Sequence, residues 1–229
     1  YTRTYTLSLH DALPIYENES YSLKVQANKI TIKVVSQVGV IRAVQTLEQL
    51  SEGTPNNSLI ECVEIVDYPA FKLRGFMHDT GRSYISIEDL KTQIRLLSRF
   101  KINTFHWHLT ENQAWRFEVK AYPQLTNASA MTRHKGLFYT QEECTSLEKY
   151  AKMHGITIIP EIDMPGHSNA FVRAMGHDMQ TDEGMKELKV ILKEVAQTFP
   201  DAPFIHIGAD EKRIVYPHFI KEIVAYIHQ

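Results

Sequence analysis

The chain has 229 residues, 43% of them hydrophobic and 23% charged, with a formal net charge of -2. That length suits one large domain or two small ones with ample material for a core, and the near-neutral balance gives no reason to expect nucleic acid or an anionic membrane as partner. Two cysteines, Cys62 and Cys144, make neither a disulfide framework nor a metal-type spacing, and no apolar run approaches the length of about 18 residues that a membrane span needs.

Residues 1–15 lack both the basic region and the continuous apolar core of a signal peptide, with His10 and Asp11 interrupting their centre. They do not share the periodicity that starts near Tyr21, so they are expected to be a foreign or disordered tail outside the fold. Tyr21, Leu23 and Val25, then Ile30, Ile32 and Val34, alternate with polar residues around Ala27-Asn28-Lys29, the pattern of a hairpin with one buried face. Val40, Ala43, Val44, Leu47 and Leu50 follow helical spacing, and residues 59–66 read as a further strand. Residues 16–68 are therefore expected to form a small α+β accessory domain without evident chemistry.

From residue 69 the grammar changes to alternating strands and helices. Strands are predicted at 73–79, 102–109, 156–162 and 204–209. Helices are predicted after Ser86 with its face on Leu90, Ile94 and Leu97, after Thr140 with Glu143 three positions on, after Thr181 or Asp182, and at 219–227. Four strands alternating with four helices indicate a parallel α/β architecture. No Gly-rich turn follows the first strand, against a nucleotide-binding sheet. A closed (β/α)8 barrel takes about 250 residues, so residues 69–229 are predicted to be the first half of a partial (β/α)8 TIM barrel, of about four βα units, with the C-terminal half missing.

Each predicted strand ends in polar residues that are costly to bury without purpose. The first delivers Asp79 and Arg82, and the second His106, His108, Glu111 and Asn112. The third delivers Glu161, Asp163 and His167, and the fourth His206, Asp210 and Glu211. Four such ends in succession point to an active site at the C-terminal rim of parallel strands. Two chemistries are open. His106 and His108 lie on one side of a strand and, with His167 and Asp210, could ligate zinc in a metal-dependent TIM-barrel hydrolase, although that leaves Arg82 and Glu211 without a task. Alternatively a carboxylic acid could protonate a glycosidic oxygen. Adjacent Asp210 and Glu211 cannot easily flank a sugar from both sides, so they suit one acid and one orienting group rather than two opposed carboxylates.

Taken together, Arg74-Gly75-x3-Asp79-x2-Arg82, Asn103-x2-His106-Trp107-His108-Leu109-Thr110, Pro160-Glu161-Ile162-Asp163-Met164-Pro165-Gly166-His167 and His206-Ile207-Gly208-Ala209-Asp210-Glu211 resemble the family 20 glycoside hydrolases, the β-N-acetylhexosaminidases, in order and from about Tyr21 onward. The resemblance implies hydrolysis of terminal non-reducing β-linked N-acetylglucosamine or N-acetylgalactosamine with retention, through an oxazolinium intermediate, on glycan substrates. It implies no cofactor and no metal. Glu211 matches the general acid and Asp210 the residue that holds the 2-acetamido group. Arg82 matches the arginine on the sugar hydroxyls, with His108 expected to join it in substrate binding. His167 matches a histidine behind the acid, and Asp163 is expected to support the site. Where the family commonly has an Asp-Asp pair, this chain has Glu111-Asn112, and Glu111 is expected to reach His167 in place of the aspartate. The family's later strands supply tryptophans and a tyrosine to the acetamido pocket, and neither Trp107 nor Trp115 can replace them, so a catalytically inactive fragment is the competing expectation for this chain alone. The substrate class implies a periplasmic, secreted or otherwise extracytoplasmic protein.

Overall fold

The computed structural model describes residues 4–9, 18–51 and 60–228. They fall into two compact units: one comprising residues up to Arg74 together with Arg95–Asn103, the other Gly75–Ile94 and the residues from Thr104 on.

The first unit contains strands β1 (Thr4–Leu9), β2 (Tyr21–Gln26), β3 (Lys29–Val34) and β4 (Val63–Asp67) and helix α1 (Gln37–Leu50), in a sheet of order β1-β3-β2-β4. The expected hairpin forms between β2 and β3, with Leu23 opposite Ile32 and Val25 opposite Ile30. Its inward residues Leu23, Val25, Ile32 and Val34 make the core with Ala43 of α1. The exclusion of residues 1–15 from the fold is corrected for Thr4–Leu9, which pair in parallel with β3 from Thr4↔Lys29 to Leu9↔Val34. This stretch carries a period-two alternation of its own, but too briefly to be recognised without a partner strand. Residues 1–3 and 10–15 lie outside the described residues, as does Leu59 of the expected strand that became β4. Within the same unit Glu19 receives the guanidinium groups of Arg42 and Arg74, each at 2.5 Å, and the Asn103 amide at 2.9 Å.

The second unit is built of parallel strands β5 (Gly75–Asp79), β6 (Thr104–His108) and β7 (Thr157–Glu161), in that order in the sheet. The expected helices appear as α2 (Ile87–Arg99), which continues into the first unit, α3 (Gln141–Met153), α5 (Asp182–Thr198) and α6 (Phe219–Ile227). Start signals read from the sequence operate as anticipated: Ser86 accepts the Asp89 amide at 3.1 Å, and Thr140 and Glu143 close a reciprocal capping box. A further helix, α4 (Asn169–Met175), was not anticipated; it ends at Gly176, which is left-handed at φ 84°. Trp107 is fully buried on the face of β6 opposite its histidines, 4.8 Å from the Tyr139 ring and 6.2 Å from Phe199. Burying such aromatic side chains contributes about 2–3 kcal/mol each.

The fourth strand expected at 204–209 is reduced to a single parallel bridge, Glu161↔His206. His206 N–H donates to Pro160 O, and the amides of Ile162 and Met164 donate to His206 O and Ile207 O. Extension stops there because Gly208 and Ala209 are left-handed, at φ 63° and 73°.

Glu148 of α3 gives the second unit a pH-dependent stability. Its side chain is buried, with the Asp201 amide donating to Oε1 at 3.2 Å and Oε2 without a partner among the described residues. Burial, reinforced by the Asp201 charge, pushes its carboxyl up to about 7. An unfolded chain ionises the same group near 4.5, so between these values the unfolded state releases a proton that the folded state keeps. Stability therefore falls as pH rises through that window. Glu148→Gln is expected to raise Tm by about 5–10 °C at pH 8, corresponding to ~2–3 kcal/mol, with little change at pH 4.5. Thermal melts at the two pH values check this; an equal shift at both would assign the effect to packing instead.

Candidate active site

The register of the second unit sets Asp79, His108, Glu161 and His206 side by side at the C-terminal ends of adjacent parallel segments. A cleft of about 330 Å³ opens there, lined by Arg82, His108, Asp163, His167 and Asp210 among others. Such a rim is where parallel α/β folds place their chemistry, because the loops that follow the strands converge on it.

Arg82 is fixed first. Beyond β5 the chain turns through Thr80-Gly81, and a Cβ on Gly81 would lie 2.6 Å from Glu111 Cβ, so only glycine lets the two loops approach. The turn returns the Arg82 amide and guanidinium to Asp79, at 2.8 and 2.6 Å. The other guanidinium nitrogen forms an ion pair with Glu111. Arg82 remains about half exposed, with its fork oriented by two carboxylates and the charge available to the cleft.

Glu111 is the inner end of a chain of contacts. Its carboxylate is fully buried, and Oε1 lies 2.5 Å from His167 Nδ1, while Nε2 of the same ring lies 3.3 Å from Glu211 Oε2. The longer arm of Glu111 thus reaches the histidine, as the sequence reading anticipates. Asn112 keeps a structural part: its own amide donates to Glu111, and its side-chain oxygen accepts the Asn169 amide at 3.2 Å. An imidazole between a buried carboxylate and a solvent-facing one can take up a proton at one nitrogen as it releases one at the other.

Asp210 and Glu211 lie beyond the end of the bridge, and Glu211 is 76% exposed at its side chain. Ala209 at φ 73° and Glu211 at φ 56° are left-handed, which costs about 1 kcal/mol or more for each non-glycine residue. Strain held at two carboxylate-bearing positions is the pattern of a functional tip. Gly208 is required as well, since a Cβ there would fall 1.9 Å from Asp163 Oδ1. Asp163 is buried, and Oδ1 has no hydrogen-bond partner among the described residues. Burial first, then the charge of Glu161, pushes its carboxyl up. Asp163, His167 and Asp210 each place a polar atom within 4.8 Å of the others, so Asp163 faces the same tip.

His108 lines the cleft beside Arg82, but its Nδ1 is committed to Glu161 at 2.6 Å, while Nε2 is buried and unpartnered among the described residues. Burial lowers the basicity of this ring, and the Glu161 carboxylate outweighs it, so the His108 pKa is raised. Glu161 also meets His106 Nε2 at 2.7 Å and His206 Nδ1 at 2.9 Å. Burial would push its carboxyl up, yet the imidazole donors of His106 and His108 hold it well below the usual range. This hub is the main site feature that the sequence reading left without a role. The alternation His106-x-His108 was visible, but the convergence on Glu161 depends on strand register. His106, Glu161 and His206 could hold a cation by atom type. Their separations are those of hydrogen bonds, however, shorter than the roughly 3.2 Å between two ligands each about 2.0 Å from a tetrahedral zinc.

The family model described as Glycosyl hydrolase family 20, catalytic domain, matches residues 71–187, and the one described as Glycosyl hydrolase family 20, domain 2, matches residues 3–68. The second match begins inside the stretch that the sequence reading sets aside. A β-hexosaminidase of Vibrio furnissii is 36% identical over 234 residues, which covers 86% of this chain and 38% of that protein. Another, from Porphyromonas gingivalis, is 38% identical over 239 residues, covering 90% and 30%. The chain thus spans well under half the length of these curated relatives. Among solved structures, a β-N-acetylhexosaminidase from Bacteroides fragilis matches with a TM-score of 0.84 at 36% identity, over 91% of this chain and 46% of its own. An exo β-N-acetylglucosaminidase from Vibrio harveyi in complex with N-acetylglucosamine matches with a TM-score of 0.82 at 31% identity, over 98% and 41%. The parallel unit is accordingly part of a (β/α)8 barrel.

Proposed function

The chain belongs to glycoside hydrolase family 20, and from that membership we propose that the protein removes terminal non-reducing β-linked N-acetylglucosamine or N-acetylgalactosamine from glycans by substrate-assisted hydrolysis. The observation that carries the reading is the line Glu111–His167–Glu211 ending beside Asp210. Glu211 donates a proton to the departing glycosidic oxygen. Asp210 accepts the N–H of the 2-acetamido group and turns its carbonyl oxygen onto C1, where the C1–O bond breaks as the oxazolinium ring closes. Water deprotonated by Glu211 then attacks C1 and reopens the ring, so two inversions give net retention. Arg82, held by Asp79 and Glu111, offers its remaining donors to the sugar hydroxyls. Asp163, whose carboxyl is pushed up by burial and by the Glu161 charge, supports the tip from beneath, within 4.8 Å of polar atoms of His167 and Asp210.

The test uses the natural reading frame that contains these residues, assayed on aryl β-N-acetylglucosaminide and β-N-acetylgalactosaminide with and without a chelator. Turnover unaffected by chelator, with the β-anomer of the free sugar appearing first by NMR, is expected. An α-anomer as first product, or loss of turnover with chelator, would overturn the mechanism. Among the described residues no helix is long and apolar enough to cross a membrane. Glycans of this kind are met mostly outside the cytoplasm, so we infer an extracytoplasmic location, which cell fractionation would check.

A further inference from the structure

We propose that Glu161 is a positioning residue, which gathers the imidazoles of His106, His108 and His206 and, through His206, sets the direction in which the segment bearing Asp210 and Glu211 leaves the sheet. This rests on the reading of Asp210 and Glu211 as the reacting pair.

Beyond the tip that segment is held where Lys212 pairs with Asp178 at 2.7 Å, and on the sheet side its contacts are few. It touches β7 through one bridge and a few backbone hydrogen bonds that end at Ile207, and both carboxylate-bearing residues are exposed. Its left-handed residues at 208, 209 and 211 are each a place where the direction of the chain could change. His206 is the last residue before them whose side chain is anchored, with Nδ1 2.9 Å from Glu161 Oε1.

Glu161 is suited to be the fixed end. It is buried at the end of a paired strand, and His106 and His108 of β6 hold its other oxygen at 2.7 and 2.6 Å. The carboxylate therefore cannot rotate to follow the loop; His206 must come to it. The rings of His106 and His206 also pack at 4.5 Å between centroids, which limits the tilt of the second ring. The Gly208 amide approaches the same Nδ1 at 3.1 Å, and only one of the two contacts can use that nitrogen. A charged acceptor makes the stronger hydrogen bond, so Nδ1 carries the proton and donates it to Glu161. A buried carboxylate acting through His206 on a tip four residues further along the chain gives this cluster of three imidazoles around Glu161 a task in the site.

The experiment compares Glu161→Gln, His206→Asn and His206→Leu in the natural reading frame. An asparagine side-chain nitrogen reaches the position of Nδ1, so His206→Asn is expected to keep kcat within about tenfold of wild type. Glu161→Gln and His206→Leu are each expected to lose about a hundredfold in kcat, with KM changed only a few-fold, because misplacement by about 1 Å carries that penalty while Arg82 still binds the sugar. The half-exposed His206 can be changed without opening the core, which keeps the test meaningful if Glu161→Gln folds poorly. Nitrogen-15 NMR of the imidazoles is read on wild type independently of activity, and a protonated Nδ1 on His206 is expected. An unprotonated Nδ1, equal activity of the Asn and Leu variants, or a loss confined to KM would each overturn the assignment. If wild type fails to cleave either aryl glycoside, the proposed activity falls, and the NMR result still decides the Glu161–His206 contact.

Discussion

Glu211→Gln is expected to lower kcat on an aryl β-N-acetylglucosaminide by about 10²–10⁴-fold, the usual contribution of a positioned general acid. The substitution keeps the length and planarity of the side chain and its approach to His167 Nε2, now 3.3 Å from Glu211 Oε2, while removing the transferable proton. The loss should therefore depend on the leaving group. With a strongly acidic phenol the departing oxygen needs little protonation, and ring closure by the acetamido group can proceed nearly as in wild type. Asp210→Asn should behave differently, because its task is to orient the acetamido group and balance the charge of the oxazolinium ion, whatever departs. Its loss, also about a hundredfold or more, should be the same across a series of phenols. Rates measured over such a series decide both points: near-normal turnover of a weakly acidic phenol's glycoside by Glu211→Gln, near-normal turnover of any of them by Asp210→Asn, or the same leaving-group dependence in both, would sink the division of labour. The two residues are neighbours on one strained turn, so the double variant should lose less than the product of the single losses.

How much of this was legible in the sequence depended on whether the signal was local. The hairpin at Tyr21–Val34, the Ser86 cap and the Thr140–Glu143 box are fixed by residues a few positions apart, and all form where expected. The polar strand ends were also readable, since Asp79, His108, Glu161 and Asp210 each follow an apolar run. What could not be read was pairing between distant segments. Strand β1 looked aperiodic until Lys29–Val34 lay beside it. The stretch around Phe204 looked like a full strand, because its alternation does not reveal that Gly208 and Ala209 turn left-handed. The Glu161 hub is the sharpest case: His106, His108 and His206 meet one carboxylate only because Thr157–Glu161 pairs with β6 in a particular register. A slip of one residue would turn Glu161 to the opposite face.

Arg116→Met is expected to destabilise the second unit by about 4 kcal/mol or more. The guanidinium of Arg116 is fully buried, and no carboxylate among the described residues forms an ion pair with it. Its charge is instead balanced by backbone carbonyls: Thr80 O at 3.1 Å, His134 O at 2.8 Å, Leu137 O at 2.6 Å and Arg133 O at 2.8 Å. Methionine fills a similar volume and removes the buried charge, which by itself is favourable. It removes the guanidinium donors from the Thr80, Arg133 and Leu137 carbonyls, however, at roughly 1–3 kcal/mol each, while His134 O keeps the Leu137 amide at 3.2 Å, and relaxation toward water recovers only part. Lysine is no remedy, because a point charge cannot serve carbonyls spread around a planar fork. The effect should reach the cleft. Thr80 O, one of the four, lies in the turn that delivers Arg82 to Asp79, and Thr80 Oγ1 also accepts Trp107 Nε1–H at 3.0 Å. Loosening that turn should raise KM more than it lowers kcat, since Arg82 contacts the sugar and not the bond being broken. Denaturant unfolding and steady-state kinetics on the same variant test both parts. A change below 1 kcal/mol would mean that water replaces the guanidinium at these carbonyls, and a fall in kcat with unchanged KM would mean that Arg116 acts on the tip at Asp210 and Glu211 instead.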